Sequence, residues 1–471
     1  MNTIYNNQQR IFTHSVFSNI ASGVCADNPK DLQPILAKRL VSLLNNDRVQ
    51  QLIGTWDVVW GPEVYHSPEE KLNVVTNAMY IAANSDRSQY IIAVSGTNGP
   101  SSFGWLTEDF KVENTISWPY SNEEGKDLRI SEGTSIGLDI LMNQMKSQGQ
   151  TVSEFLKSDL NHSSQVVVTG HSLGGALSAT LALALHDTQN NWNFNRKAII
   201  SCLPSAGATP GNKDFSNYYN DALGTQTIRV WNRLDIVPHA WEIGMLQMVP
   251  SIYAPYFNSG TILAGIANLA ILRSAKGASP ISNNPYTQLL PQTPGLNGQI
   301  NLGLKPPTNL ICKIVIDTLL SYLPTTKLPE SIVKKIKPVL REVLLDMKPT
   351  SVFANIRKRL TNALIKALKG KNDILDYVMN LFNWLWKDIS KLANFMLQAL
   401  YQHVGAYFEL YKIDEIYPIM KNITNDNPCT VIDMMVLLEK LLFDMIGSIK
   451  NFIPSYLSKN VDQQLETVEQ S

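Results

Sequence analysis

The chain has 471 residues, and its forty basic and forty acidic residues give a formal net charge of zero. This balance indicates no nucleic-acid partner, and 44% hydrophobic with 17% charged residues excludes a disordered chain. The length suits one enlarged domain or two domains.

The first thirty residues lack the basic start and unbroken apolar run of a secretory signal peptide. No later segment is apolar for long enough to span a membrane, since GTILAGIANLAIL at residues 260–272 is too short. We therefore expect a cytoplasmic or peripheral membrane protein, with export by a route without a signal peptide left open. Four distant cysteines form no C-x-x-C pair and are expected to be reduced thiols: Cys25, Cys202, Cys312 and Cys429.

Strand-like and helix-like stretches alternate up to about residue 240. Residues 31–53 have helical spacing, whereas TWDVVW, AMYIAAN and YIIAVSGT are typical of strands. Further strands are expected over 166–170, 197–208 and 227–235, and a strong helix former runs from Ala176 to Leu185. Strands separated by helices predict an α/β fold with a mainly parallel sheet flanked by helices.

Beyond about residue 245 strand signals almost vanish. Apolar residues recur at helical spacing over 332–347, 356–368 and 374–396, and Pro338 is expected to kink or split the first of these helices. We therefore predict three parts: a core at 1–245, a helical insertion acting as a lid, cap or membrane contact at 246–395, and a C-terminal helical part at 396–471.

The stretch VVVTGHSLGGALSATLALAL, which begins at Val166, places a Gly-x-Ser-x-Gly pattern between a strand and a helix. That context predicts that Ser172 is a nucleophile on a sharp turn. The pattern alone is weak, because an ordinary serine between glycines would look the same. A hydroxyl becomes a useful nucleophile only when a base takes its proton and an acid holds that base.

The acid and the base should follow the serine in that order along the chain. Asp235 lies in TIRVWNRLDIVPHAW, after the second strand beyond Ser172, and is the expected acid. Five of the seven histidines precede Asp235, including His171, which is expected to support the turn. His239 follows Asp235 by only four residues, too close to reach the next loop. We therefore favour His403, 168 residues beyond Asp235, and keep His239 as the alternative.

Two N–H groups must stabilise the oxyanion that forms when a serine attacks an ester carbonyl. Leu173 follows the nucleophile and is expected to supply one. Thr97 in VSGTNG is expected to supply the other, although a glycine-rich turn also suits a simple hairpin. No metal or organic cofactor is needed for this chemistry.

Four blocks of the chain resemble the class 3 lipases, the fungal triacylglycerol-lipase-like branch of the α/β hydrolases. They are AVSGTNG…WLTEDF, VTGHSLGGALSATLAL, AGATPGNKDF and RVWNRLDIVPHAW. The resemblance implies Ser172 as nucleophile, Asp235 as triad acid, and Thr97 and Leu173 as oxyanion donors.

The block that contains the histidine resembles the family pattern less closely than the other four blocks do. QHVGAYFEL is similar to the family's His-x-x-x-Tyr and implies His403, whereas His239 matches a histidine that is not catalytic in the family. Ser95 replaces the usual arginine of the oxyanion block, and Pro210 is followed directly by Gly211. The acid and the histidine are far more widely separated than is usual, which implies a helical insertion between them.

Residues 327–371 carry twelve lysines and arginines against three acidic residues. Basic amphipathic helices with aromatic residues, here over 327–397, are typical of segments that lie on anionic lipid, although a solvated face is the ordinary explanation. The sequence as a whole predicts a serine esterase or lipase that hydrolyses lipid esters through an acyl-enzyme. The alternatives are a phospholipase at anionic membranes, a lipase-like membrane-active effector and a non-catalytic binding protein.

Overall fold

The computed structural model describes residues 3–22, 24–70, 73–98, 111–121, 124–160, 164–193, 197–257, 260–277, 284–326, 328–345 and 353–424. The chain divides into two compact units. Among the described residues, the first unit takes in the residues up to Val249, Leu269–Gln299 and residues 401–424, and the second unit takes in Pro250–Asn268 and Ile300–Leu400. The three-part division predicted from the sequence stays a prediction. The WLTEDF block and residues 425–471 lie outside the described residues.

The strands of the first unit are β1 (Trp56–Tyr65), β2 (Asn77–Asn84), β3 (Gln89–Val94), β4 (Thr115–Ser117), β5 (Arg129–Ser131), β6 (Gln165–His171) and β7 (Ile199–Ser205). The main sheet has the order β1-β2-β3-β6-β7, and β4 pairs with β5 in a separate ribbon. β3, β6 and β7 run parallel, as predicted, whereas β1, β2 and β3 form an antiparallel meander. The sheet is therefore mixed. β1, β2 and β3 follow one another directly and pair as antiparallel neighbours, whereas parallel neighbours require a crossover connection.

The segment predicted as a strand over 227–235 is irregular. It touches the sheet through isolated parallel bridges, Cys202 with Thr227 and Ser205 with Val230, and the chain then pairs Asn232 with Leu296. The segment that carries Asp235 therefore still lies beside β7.

The helices are α1 (Asn7–Ser18), α2 (Leu32–Leu44), α3 (Asp47–Ile53), α4 (Glu132–Asp139), α5 (Val152–Asp159), α6 (Leu173–Asp187), α7 (Gln189–Trp192), α8 (Lys213–Leu223), α9 (Ile243–Leu246), α10 (Thr261–Gly277), α11 (Thr308–Tyr322), α12 (Glu330–Leu345), α13 (Phe353–Leu368), α14 (Asn372–Leu400), α15 (Ala406–Tyr411) and α16 (Ile416–Thr424). Residues 31–53 form two helices rather than one, because the Asn46 side chain accepts hydrogen bonds from the first N–H groups of α3.

Alternate residues of the central strands enter two apolar clusters, one on each face of the sheet. Ile81, Ile92 and Val168 pack with α6, whereas Ala82, Ile91 and Val167 pack with α1 and α2. Successive residues of a strand point to opposite faces of the sheet, so these two clusters cover the sheet on both sides. α6 is buried along almost its whole length, which explains its continuous apolar sequence.

The second unit is helical. α11 packs against α12 and α14, and α13 packs against both α12 and α14. α12 is not split at Pro338, because the buried stripe of Ile332, Ile336 and Leu340 continues on both sides of the exposed proline. No helix in the described part of the chain is long and apolar enough to cross a membrane.

The expectation of four reduced cysteines is wrong for Cys25, which is disulfide-bonded. Cys202 and Cys312 are free and buried, and Cys429 lies outside the described residues. The spacing of cysteines along the sequence does not reveal which of them approach within bonding distance, so the fold decides the pairing.

Candidate active site

Ser172 occupies a strained turn between β6 and α6. Its φ of 63° and ψ of −126° lie in a region that residues other than glycine rarely adopt. A side chain at Gly170 would collide with the carbonyl of Gly174, so only glycines allow the strand and the helix to approach so closely. The Ser172 N–H donates to the Ser205 carbonyl on β7 at 3.0 Å, which ties the turn to the sheet.

A continuous chain of hydrogen bonds joins the three residues predicted as nucleophile, base and acid. Ser172 Oγ lies 2.8 Å from His403 Nε2, and His403 Nδ1 lies 2.8 Å from Asp235 Oδ2. Asp235 is fully buried, and its other carboxylate oxygen accepts the Val237 N–H at 3.0 Å. Because the carboxylate accepts the Nδ1 proton, the lone pair of Nε2 faces the serine hydroxyl.

His403 lies in a π-helical turn, Tyr401–Gly405, which follows α14 along the chain and leads into α15. Such turns are rare and concentrate at functional sites. The alternative base, His239, is buried elsewhere in the acid loop, with its Nδ1 2.7 Å from the backbone carbonyl of Asp235. Burial lowers the pKa of His239 below its ordinary value.

The two predicted oxyanion donors lie on either side of the turn. Leu173 is the first residue of α6, and the first N–H groups of a helix have no carbonyl partner within the helix. Thr97 follows the end of β3. Its neighbour Gly96 passes close to the nucleophile, because a Cβ on Gly96 would lie 3.2 Å from Ser172 Cβ. The Gly96 N–H donates to Asn19 Oδ1 at 2.7 Å, so the residue after α1 anchors this loop.

Ser95 stands where the family usually has an arginine. Its hydroxyl accepts the Ala78 N–H at 2.9 Å, and its own N–H donates to the Ala78 carbonyl at 2.9 Å. The substitution therefore fastens the end of β3 to β2.

Tyr407 contacts the proposed acid, and the sequence alone did not predict this contact. Its hydroxyl donates to Asp235 Oδ2 at 3.0 Å, the same oxygen that accepts from His403. Burial, with a further contribution from Asp235, raises the pKa of Tyr407 well above its ordinary value, so the hydroxyl remains a donor. The signal was present in QHVGAYFEL, where the tyrosine follows the histidine at the spacing of the family pattern.

The fold and the site define an α/β hydrolase: a sheet flanked by helices carries a serine on a strand–turn–helix elbow within reach of a histidine and a carboxylate. The family model described as Lipase (class 3) matches residues 91–244. M37 lipase is 33% identical, and the match covers 63% of this chain and 86% of that one with a TM-score of 0.54. The chain therefore belongs to the class 3 lipase family and is a carboxylic ester hydrolase that acts on lipid esters.

More distant solved structures are also similar. Lipase II from Rhizopus niveus is 19% identical over 50% of this chain and 76% of its own, with a TM-score of 0.36. The lipase from Rhizopus microsporus var. chinensis is 16% identical over 49% of this chain and 68% of its own, with a TM-score of 0.34. No curated protein matches the chain significantly.

Proposed function

We propose that the protein hydrolyses lipid esters through an acyl-enzyme formed on Ser172, with His403 as the base and Asp235 as the acid of the triad. The observation that carries the proposal is the hydrogen-bonded series from Ser172 Oγ through both ring nitrogens of His403 to Asp235 Oδ2. Leu173 and Thr97 act as the oxyanion donors.

In the first half-reaction the Ser172 oxygen attacks the ester carbonyl carbon while His403 Nε2 takes the hydroxyl proton. The N–H groups of Leu173 and Thr97 stabilise the negative charge on the former carbonyl oxygen. The bond from carbon to the alcohol oxygen then breaks, and His403 returns the proton to the leaving alcohol. A water molecule repeats the sequence on the acyl-enzyme and releases the fatty acid.

The triad is tested by labelling with a fluorophosphonate and by hydrolysis of p-nitrophenyl butyrate. Ser172→Ala should abolish labelling, and His403→Ala should lower kcat by roughly 10⁴-fold or more, because the serine then keeps its proton. His239→Ala is the matched control, since His239 bonds to a backbone carbonyl of the same loop. Labelling of the Ser172→Ala protein, or a larger loss in His239→Ala than in His403→Ala, would refute the assignment.

We propose further that the helical unit binds anionic membranes by charge. On α12 and α13 the exposed basic residues outnumber the exposed acidic ones, Glu330 and Glu342; they are Lys334, Lys335, Arg341, Arg357, Lys358, Arg359 and Lys366. The apolar stripes of both helices are buried within the unit, which favours attraction to headgroups over insertion. Such attraction also supports a phospholipase as the second candidate function.

The membrane proposal is tested by sedimentation with vesicles of phosphatidylcholine alone or of phosphatidylcholine with phosphatidylserine. Lys358→Glu combined with Lys366→Glu should release the protein from the phosphatidylserine vesicles. The control pair, Lys30→Glu with Lys38→Glu, changes net charge equally on exposed residues of the other unit and should leave binding intact. Equal binding to both kinds of vesicle, or equal loss in both pairs, would contradict the proposal. Fatty acid released from the same vesicles, compared with a triglyceride emulsion, separates the two candidate activities.

A further inference from the structure

A buried pair of amide side chains joins the acid loop to the segment that carries the histidine. Asn232 Nδ2 donates to Gln402 Oε1 at 2.7 Å and to the Gln402 carbonyl at 3.2 Å. Both side chains are 0% exposed. A buried amide that loses its partner is left with unsatisfied polar atoms in the protein interior, so each member of the pair depends on the other.

The remaining polar groups of the pair also have partners. Asn232 Oδ1 accepts the N–H groups of Leu234 and Gly298, each at 3.1 Å. Gln402 Nε2 donates to the Gln299 carbonyl at 2.6 Å. A Cβ at Gly298 would collide with both amide oxygens, so a glycine is required beside the pair.

The pair lies next to the reacting groups along the chain without touching them. Gln402 directly precedes His403, and Asn232 comes three residues before Asp235. The Asn232 N–H also donates to the Tyr407 hydroxyl at 2.9 Å, and that hydroxyl donates to Asp235. The acid and histidine segments are thus held together at two points, one through the amide pair and one through Tyr407.

We propose that the Asn232–Gln402 pair is the positioning device that sets His403 at hydrogen-bonding distance from Asp235. Because 168 residues separate the acid from the base, local chain geometry cannot fix their distance, and side-chain contacts must do so. Amides suit this task, since each offers a donor and an acceptor with a defined direction, which an apolar pair lacks. The inference rests on the proposed triad and names the residues that assemble it.

A double-mutant cycle on p-nitrophenyl butyrate tests the pair. Asn232→Ala and Gln402→Ala should each lower kcat by roughly 10- to 100-fold with KM nearly unchanged, as expected when a base is displaced by a fraction of an ångström. The double variant should lose no more than the worse single variant, because either change alone breaks the contact. The low-field proton resonance of His403 Nδ1–H should weaken or shift in all three.

Two further variants keep the test decisive. Gln402→Met retains the side-chain volume and the 402 carbonyl, and should show the same loss of kcat if the alanine variants do not fold. Gln189→Ala removes another buried amide, whose Nε2 donates to the Ala198 carbonyl at 2.7 Å, and should lower stability while leaving kcat unchanged.

Wild-type kcat in Gln402→Met and Asn232→Ala, or fully additive losses in the double variant, would overturn the positioning role. Failure of the triad itself would look different: the Ser172→Ala protein would then still label and hydrolyse the ester.

Discussion

At the scale of single residues, the histidine that adjoins the nucleophile contacts the proposed base. The ring of His171 stacks on that of His403 with centroids 4.8 Å apart and planes inclined by 30°. The ring of Tyr407 is T-shaped to that of His171, with centroids 5.0 Å apart. Neither ring nitrogen of His171 has a hydrogen-bond partner among the described residues. Burial, with a contribution from His403, holds the pKa of His171 well below its ordinary value, so its ring is neutral.

A neutral ring in this place should act by packing, which predicts different results for two substitutions. His171→Phe keeps a flat ring against His403 and should leave kcat within a few-fold, while gaining about 1 kcal/mol of stability because no unpaired polar atoms stay buried. His171→Ala opens a cavity beside the base and should lower kcat at nearly constant KM. Steady-state kinetics and thermal unfolding measure both effects. An equal loss of kcat in the two variants would mean that a ring nitrogen takes part in the chemistry.

At the scale of elements, the nucleophile elbow was predictable because strand, turn and helix are contiguous. A β-branched run, glycines at fixed positions and an apolar helix all lie between Val166 and Leu185, and β6 and α6 form there. The segment over 227–235, predicted as a strand, forms only isolated bridges to β7, and Asp235 follows it. The π-helical turn around His403 was not predictable, because its apolar pattern continues that of α14.

Positions outside the motifs were missed for a related reason. Asn19, Asn232 and Gln402 are ordinary polar residues in the sequence, and each gains its importance from one partner distant along the chain. Tyr407 is the tyrosine of the His-x-x-x-Tyr pattern, yet its bond to Asp235 depends on how two separate segments approach each other. Hydrogen-bond partners of this kind are decided by tertiary packing.

At the scale of the whole molecule, several histidines of the first unit are buried and uncharged. Burial lowers the pKa of His14 to about 3, with nearby Arg10 adding to the shift. Burial also holds the pKa of His171 well below its ordinary value and lowers that of His239. In the unfolded chain these rings titrate near their ordinary pKa of about 6.5, so the unfolded state binds protons that the folded state does not.

Stability should therefore be fully present above about pH 6.5 and should fall as the pH is lowered toward the depressed pKa values of the folded state. Each buried histidine contributes up to about 1.4 kcal/mol per pH unit in that window. Urea unfolding between about pH 7 and about pH 5 measures the slope. His14→Phe should reduce the slope by one proton, because it removes one ring that takes up a proton on unfolding. The Tyr80 hydroxyl can still donate to the carbonyl of residue 14 in this variant. An unchanged slope in that variant would contradict the account.

The sequence by itself determined the fold class, the family and the proposed nucleophile and acid, because Ser172 and Asp235 lie in contiguous motifs whose order along the chain is constrained. For the base it only favoured His403 over His239. The tertiary structure decided which histidine reaches Ser172, since His239 and His403 both satisfied the order and only His403 lies 2.8 Å from the hydroxyl. It also decided the disulfide at Cys25 and the amide pair beside His403. These depend on distances between segments far apart in the chain, and only folding sets such distances.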